Sequence, residues 1–219
     1  MTLSRTEMEI VDIHTHNLPQ KPGSALYVLP LGQTCIPEGQ LCAAGLHPWD
    51  VTENCQDMLD WVSEISSSPS VLAIGECGID RLRGLNQELQ IHAFTVQAEI
   101  AEERSKPLII HSVRSSELIL AVRKRLKPRM PWLIHGFRGG PEQADMLLSH
   151  GIALSFSGRF KPQSMQTVGL KRVLLETDNL ESIDEIVDCA ASALGVSSDE
   201  MRIHASSNAE SFLTGTLVW

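Results

Sequence analysis

Long apolar runs are missing from this chain. Stretches such as 107–110 and 173–175 extend for only a few residues, where a helix crossing a bilayer needs about 20. A cleavable leader is not expected either, because residues 2–9 carry one arginine and two glutamates where a signal would hold an unbroken apolar core. Together these absences lead to the expectation of a cytoplasmic protein with no membrane partner. Positive charge is scarce. With 18 Lys+Arg against 27 Asp+Glu, the formal net charge is -9, the wrong sign for gripping long nucleic acid over a broad basic surface. Any contact with nucleic acid has to be local. Cysteine pairing is absent too: Cys35, Cys42, Cys55, Cys77 and Cys189 are odd in number and form no CxxC. That argues against a disulfide framework or a zinc knuckle and predicts reduced, mostly buried thiols.

What is present is ordinary core material. A chain of 219 residues, 42% hydrophobic and 21% charged, can bury one good core, so a single domain over 1–219 is expected and global disorder is excluded. Short apolar runs at 9–14, 25–31, 41–46, 71–76, 107–111, 132–135, 152–156 and 172–177 read as strands. Between them, 54–66, 86–105, 115–127, 141–150, 163–168 and 182–194 read as helices, with 208–213 as a closing turn. Near-continuous apolar strands alternating with helices predict a parallel sheet under a helical layer, and eight strands predict an α/β fold, a TIM-type (β/α)8 barrel. The chain is near the lower size limit for that fold, about 200 residues. Segments 16–25 and 31–41 are short and rich in Pro and Gly (Pro19, Pro22, Gly23, Gly32, Pro37, Gly39). The barrel is therefore expected to be somewhat distorted, with the first two βα units lacking full helices.

Polar residues fall at the strand ends. Asp12, His14 and His16 alternate along the end of the first strand, a spacing that turns side chains to one face. The fourth strand ends at Glu76, the fifth at His111, the sixth at His135 and the eighth runs into Asp178. These are the ends at which a βα barrel carries its active site. Four histidines and two carboxylates at one mouth suit divalent metal of the Zn, Mn, Fe or Mg class, and burying so many ionisable groups without metal would cost several kcal/mol each. Six ligands exceed what one tetrahedral zinc requires, which points to two ions with Glu76 as the bridging carboxylate.

Several strings in this order resemble the TatD family of metal-dependent hydrolases, in the broad amidohydrolase class. DIHTH at 12–16 resembles its opening D-x-H-x-H, GLHPW at 45–49 its G-x-H-P, and GECGID at 75–80 its G-E-x-G-L-D. IHSVR at 110–114 is similar to its I-H-x-R region and HGFRGG at 135–140 to its H-C-F-S-G; SFSG at 155–158, LLETD at 174–178 and Asn208 with Phe212 match the remainder. The resemblance implies that His14, His16, Glu76 and Asp178 bind one metal and Glu76, His111 and His135 the other. It also implies Asp178 as acceptor of the proton from the attacking water, and His47 as a contact beside the metals. Asp80 and Glu176 are read as supports behind the ligands. Arg114 and Arg138 are candidate clamps for a substrate phosphate. Arg114 stands three residues after His111 where the family pattern has two, Gly136 and Arg138 replace Cys and Ser, and Asn179 follows Asp178 in place of a small residue.

The implied activity is that of a TatD-type deoxyribonuclease or phosphodiesterase, acting like a 3'-end exonuclease with two divalent ions (Mg, Mn or Zn) on DNA ends or a small phosphodiester, with no obligate protein partner. The acidic net charge suits nibbling at ends better than wrapping duplex. An amidohydrolase-type amide, ester or lactone hydrolase is the alternative, and a noncatalytic metal-binding protein is a third reading. His92, His150, His204 and the basic run Arg123, Lys124, Arg125, Lys127 and Arg129 are expected at the surface or in packing. Trp61 and Trp132 are expected in packing layers, and Trp49, beside His47, either packs or stacks on a base.

Overall fold

In the computed structural model, which describes residues 9–84 and 86–216, apolar alternation along each strand builds two layers at once. Parallel strands β1 (Asp12–Thr15), β2 (Ala25–Val28), β3 (Leu41–Ala44), β4 (Val71–Asp80), β5 (Leu108–Val113), β6 (Trp132–Ile134), β7 (Ile152–Phe156) and β8 (Leu174–Leu175) pair in sequence order, and β1 pairs β8 to close the barrel. Leu26, Leu41, Ala43, Ala73, Ile109, Leu133, Ala153 and Leu174 form the interior cluster. Their neighbours Ile74, Leu108, Ile110, Trp132, Ile134, Ile152, Leu154 and Leu175 pack outward against the helices. The outer layer consists of α1 (Gln56–Ile65), α2 (Gln87–Arg104), α3 (Ser116–Leu126), α4 (Pro141–Ser149), α5 (Pro162–Val168), α6 (Ile183–Leu194) and α7 (Ser198–Leu213).

No helix separates β1 from β2 or β2 from β3, as the short Pro/Gly-rich segments require. Beside β1, in place of a first crossover helix, lies a recess of about 1120 Å3, lined in part by Leu18, Ile183 and Ile203. The expectation that no leader is present falls on residues 2–9, of which 2–8 lie outside the described part. No described helix is long and apolar enough to cross a membrane.

The C-terminal end differs from expectation. Instead of a closing turn at 208–213 there is a 16-residue helix, α7, starting after Ser197, whose side chain accepts from Glu200 N. Ser197 and Glu200 carry the spacing of a capping box. The stripe that α7 buries is Met201, Ala205, Ala209 and Phe212, mostly small residues among serines, and so gives little apolar periodicity. Asn208 donates from Nδ2 to Leu170 O at 3.0 Å and Val173 O at 2.9 Å, tying α7 to the approach to β8.

Three of the five free thiols, Cys42, Cys55 and Cys77, are buried, and Cys35 and Cys189 are exposed. Trp132 is fully buried against Phe94.

Candidate metal centre

The interior parity carries straight to the mouth. Ile109 faces inward on β5 and Leu133 on β6, so two residues on His111 and His135 face the same way. Leu174 is inward on β8, and Glu176 and Asp178 follow at the same spacing. On β4 the pairing with β5 shifts register between Ile74 and Cys77. Inward parity passes from Ala73 to Glu76, while Cys77 and Ile79 join the outer cluster. Close approach of β3 makes room for this. A Cβ on Gly45 would lie 2.7 Å from the Gly75 backbone, so only glycine fits there.

Glu76, 4% exposed, lies at the focus. Its Oε2 is 3.3 Å from His14 Nε2 and 3.2 Å from His16 Nε2. Its Oε1 is 3.1 Å from His47 Nε2, 2.6 Å from His111 Nδ1 and 2.7 Å from His135 Nε2. One carboxylate thus divides five imidazoles between its two oxygens. Asp178 closes the Oε2 side, its Oδ1 3.6 Å from His16 Nε2. Its backbone is laced to β1 by His16 N donating to Asp178 O and Asp178 N donating to His14 O, and Asn179 Nδ2 donates to Oδ1 at 2.9 Å.

Hydrogen bonds from behind decide which ring nitrogen is free. His111 Nε2 lies 3.3 Å from Asp80 Oδ2 and His135 Nδ1 lies 3.1 Å from Glu176 Oε1. Each carboxylate takes the proton-bearing nitrogen and leaves a lone pair facing Glu76, the arrangement usual behind metal-binding histidines. Both carboxylates are themselves held: Asp80 accepts from Trp49 Nε1 at 2.8 Å and from the Leu82 and Arg83 amides, and Glu176 accepts from Ser155 Oγ. His47 is oriented the other way. Its Nδ1 accepts from Trp49 N at 3.2 Å, so the neutral ring carries its proton on Nε2, toward Glu76, and is a donor there.

The donor set fits divalent metal. His14 is fully buried, and among the described residues its Nδ1 has no hydrogen-bond partner and its Nε2 only the Glu76 carboxylate at 3.3 Å, too poorly aligned for a hydrogen bond, a costly state unless a cation takes the lone pair. Lone pairs of His111 and His135 facing a carboxylate at 2.6 and 2.7 Å likewise need a cation between them. Protons serve without metal. Burial opposes the charge on Glu76, but the neighbouring charge of His135 and hydrogen bonds from His111 and His135 outweigh it and hold the carboxyl well below its usual range. Burial opposes the charge on His135 too, and the Glu76 and Glu176 carboxylates push its pKa well above the usual histidine value. For Asp80, burial raises the pKa, but the bonds from Trp49, Leu82 and His111 win and lower it.

Other sequence expectations land elsewhere. Asp12 does not join the histidines. The β1–β2 register shifts between Asp12 and Thr15, and the Asp12 carboxylate accepts from Thr177 N at 3.0 Å and Thr177 Oγ1 at 2.6 Å and lines the recess beside β1. There burial is the main cause that pushes its pKa up to about 7. Arg114 and Arg138 are exposed, and neither lines the cavity over the metal centre, about 470 Å3, whose far wall is Val28, Leu29, Pro30 and Leu31. Trp49, 42% exposed, does line it. His92 and His150 are exposed and His204 half-buried on α7, away from the centre. The sequence reading assigned no role to Ser155 or Asn179. A hydroxyl at the buried end of an inward-facing run, and an amide beside a candidate ligand, were the available signals.

Comparison with known proteins agrees with this fold. A family model described as TatD related DNase matches residues 19–214. The chain is similar to a 3'-5' ssDNA/RNA exonuclease TatD of Erwinia billingiae, 31% identical over 145 residues that cover 62% of this chain and 56% of that protein. It is also similar to the uncharacterized metal-dependent hydrolase YabD of Bacillus subtilis, 30% identical over 145 residues, 62% of this chain and 57% of that one. It therefore spans little more than half the length of the curated relatives it matches. In fold it resembles YjjV, a TatD homolog from Escherichia coli, with a TM-score of 0.78 at 18% identity over 94% of this chain and 98% of the other. A TatD family hydrolase of Entamoeba histolytica gives 0.68 at 18% identity over 80% and 75%. With the ordered motifs, the barrel and the match over 19–214 in agreement, the chain belongs to the TatD related DNase family.

Proposed function

We propose that this chain is a divalent-metal-dependent phosphodiesterase acting on the ends of DNA strands, and that the barrel works as one domain. The observation that carries the reading is the division of imidazoles between the two oxygens of Glu76. In this reading His14, His16, Glu76 and Asp178 would hold one divalent ion, and Glu76, His111 and His135 would hold a second, with Mg, Mn or Zn as the candidate metals. The names of relatives, 3'-5' ssDNA/RNA exonuclease among them, support nucleic acid as the substrate.

Bound there, divalent ions supply a Lewis acid for phosphoryl oxygens and make coordinated water a nucleophile near neutral pH. The chain's own groups do the rest. Asp178, more open than Glu76, has one oxygen turned by Asn179 and the other left to take the proton from the attacking water. His47 presents Nε2–H to the centre and donates to a nonbridging phosphate oxygen. Asp80 and Glu176 keep His111 and His135 in one tautomer throughout.

Hydrolysis of a small amide, ester or lactone is the second reading. It is favoured by the apolar wall of Val28, Leu29, Pro30 and Leu31 and by the lack of an arginine among the described residues lining the cavity. The deciding experiment is hydrolysis of a chromogenic phosphodiester by chelator-stripped protein, before and after addition of Mn, Mg or Zn, with Asp178→Ala alongside. Metal-restored turnover that the variant lacks is the expected result. Silence with metal bound overturns the phosphodiester reading and moves the choice to a carbonyl substrate.

A further inference from the structure

Arg83 follows β4 by three residues, and its guanidinium carbon lies 3.7 Å from the centre of the Trp49 ring. It pairs with no carboxylate among the described residues, whereas its neighbour Arg81 is engaged with Glu117. Its backbone is fixed at both ends: the amide donates to Asp80 Oδ1 at 3.1 Å and the carbonyl accepts from Gln90 Nε2 at 3.2 Å. Trp49 is fixed as well. Its Nε1 donates to Asp80 Oδ2 at 2.8 Å, and its ring meets His47 edge-on at 4.6 Å between centroids. From the centre outward, Glu76, His47, Trp49 and Arg83 touch in succession.

A guanidinium lying on an indole keeps its charge on the ring face and directs its N–H donors outward in its own plane. Held in that way, it gives up less rotamer freedom on meeting a ligand than a free side chain would. The position is one aromatic ring beyond the metal cavity, whose lining contains no arginine among the described residues. That is too far out for the phosphate undergoing cleavage and suits the next one along a strand. We propose that Arg83, laid on Trp49, is an anion site for the phosphate adjacent to the scissile one, so that the site prefers a nucleic-acid strand to an isolated diester. The proposal rests on the phosphodiesterase reading. It supplies the local cationic contact that a chain of net charge -9 needs in order to hold nucleic acid.

The test compares wild type with Arg83→Ala and Arg83→Lys on bis(p-nitrophenyl) phosphate, which has one phosphate, and on a short single-stranded DNA. Truncating the side chain leaves the backbone bonds to Asp80 and Gln90 in place. Expected for Arg83→Ala is a KM for DNA raised about tenfold, the size of one charge-assisted hydrogen bond, with kcat and the kinetics on the lone diester within twofold of wild type. Lysine keeps the charge without the planar fork and recovers part of the loss. In parallel, fluorescence anisotropy of a labelled strand on the metal-loaded protein reads the dependence of log affinity on log salt. The slope is expected to shrink by about 0.7, the release from one single-strand phosphate. An unchanged DNA KM and salt slope overturns the proposal, as does an equal loss on both substrates, which would mean that Arg83 only braces Trp49. If the wild type hydrolyses neither substrate, the phosphodiesterase reading falls. The binding arm then still decides: a slope reduced in the variant upholds the anion site, and no strand binding or an unaltered slope ends it.

Discussion

Replacing Glu76 by glutamine preserves the shape of the side chain and removes the one anion on which five imidazoles converge. The nearest imidazole nitrogens lie 2.6 and 2.7 Å from Oε1. At an effective dielectric of about 20, a unit pair near that separation attracts by roughly 6 kcal/mol. Drying both groups offsets much of this, and losing one partner of a buried pair typically costs about 3–5 kcal/mol. The imidazoles can shed their protons once the anion is gone, which keeps the metal-free loss at the low end, about 3 kcal/mol. For a chain of this size that corresponds to a melting temperature lowered by roughly 6–12 °C in chelator, read by scanning calorimetry. On the two-ion reading the consequence with metal is larger in kind, because a neutral amide would serve two cations far less well than a carboxylate. On that reading, elemental analysis after dialysis should find at most one ion per chain in the variant against two in the wild type, and hydrolysis should be lost. A variant that keeps both ions and melts within about 2 °C of wild type would refute the view that Glu76 is the electrostatic focus of the barrel mouth.

Glu176→Gln leaves the ligands intact and keeps an acceptor oxygen but removes the negative charge behind His135 Nδ1; isothermal titration should show metal affinity reduced about 10–100-fold, and unchanged affinity would deny that charge a role. Metal-free protein should show a stability slope with pH. His135 has a raised pKa, so its ion pair contributes in full below the usual value near 6.5 and is lost as pH climbs through the raised one, while the part due to the lowered pKa of Glu76 is lost only in acid. Calorimetry at about pH 6, 7.5 and 9 in chelator should give falling melting temperatures, and saturating Zn or Mn should flatten the fall, since the metal replaces the proton. Asn208→Leu cuts both bonds from α7 to the Leu170 and Val173 carbonyls, costing about 2–4 kcal/mol. The melting temperature should drop accordingly, with metal-dependent activity at room temperature retained; a drop under 1 °C would mean that water satisfies those carbonyls.

The sequence by itself determined the barrel and the set of groups at its mouth, and the reason is periodicity. Runs such as 107–111 and 132–135 are apolar at each position until a histidine, and the two-residue repeat of a strand carries the inward parity of Ile109 and Leu133 to His111 and His135 without tertiary information. The same local logic found the two missing crossover helices in the Pro/Gly-rich segments. It failed where the repeat breaks or the signal is composition. The β1 register shift turned Asp12 to Thr177, and α7, built on alanine and serine, was legible only through the capping pair Ser197 and Glu200. Only the tertiary structure decided how the groups are used. Which nitrogen of each imidazole faces the centre depends on partners delivered by other elements: Asp80 for His111, Glu176 for His135, and the Trp49 amide for His47. A lone pair or a proton at a given point is set by hydrogen bonds across the barrel mouth, and so is the seating of Arg83 on a tryptophan 34 positions earlier in the chain. Strand periodicity reaches two residues ahead and cannot encode them.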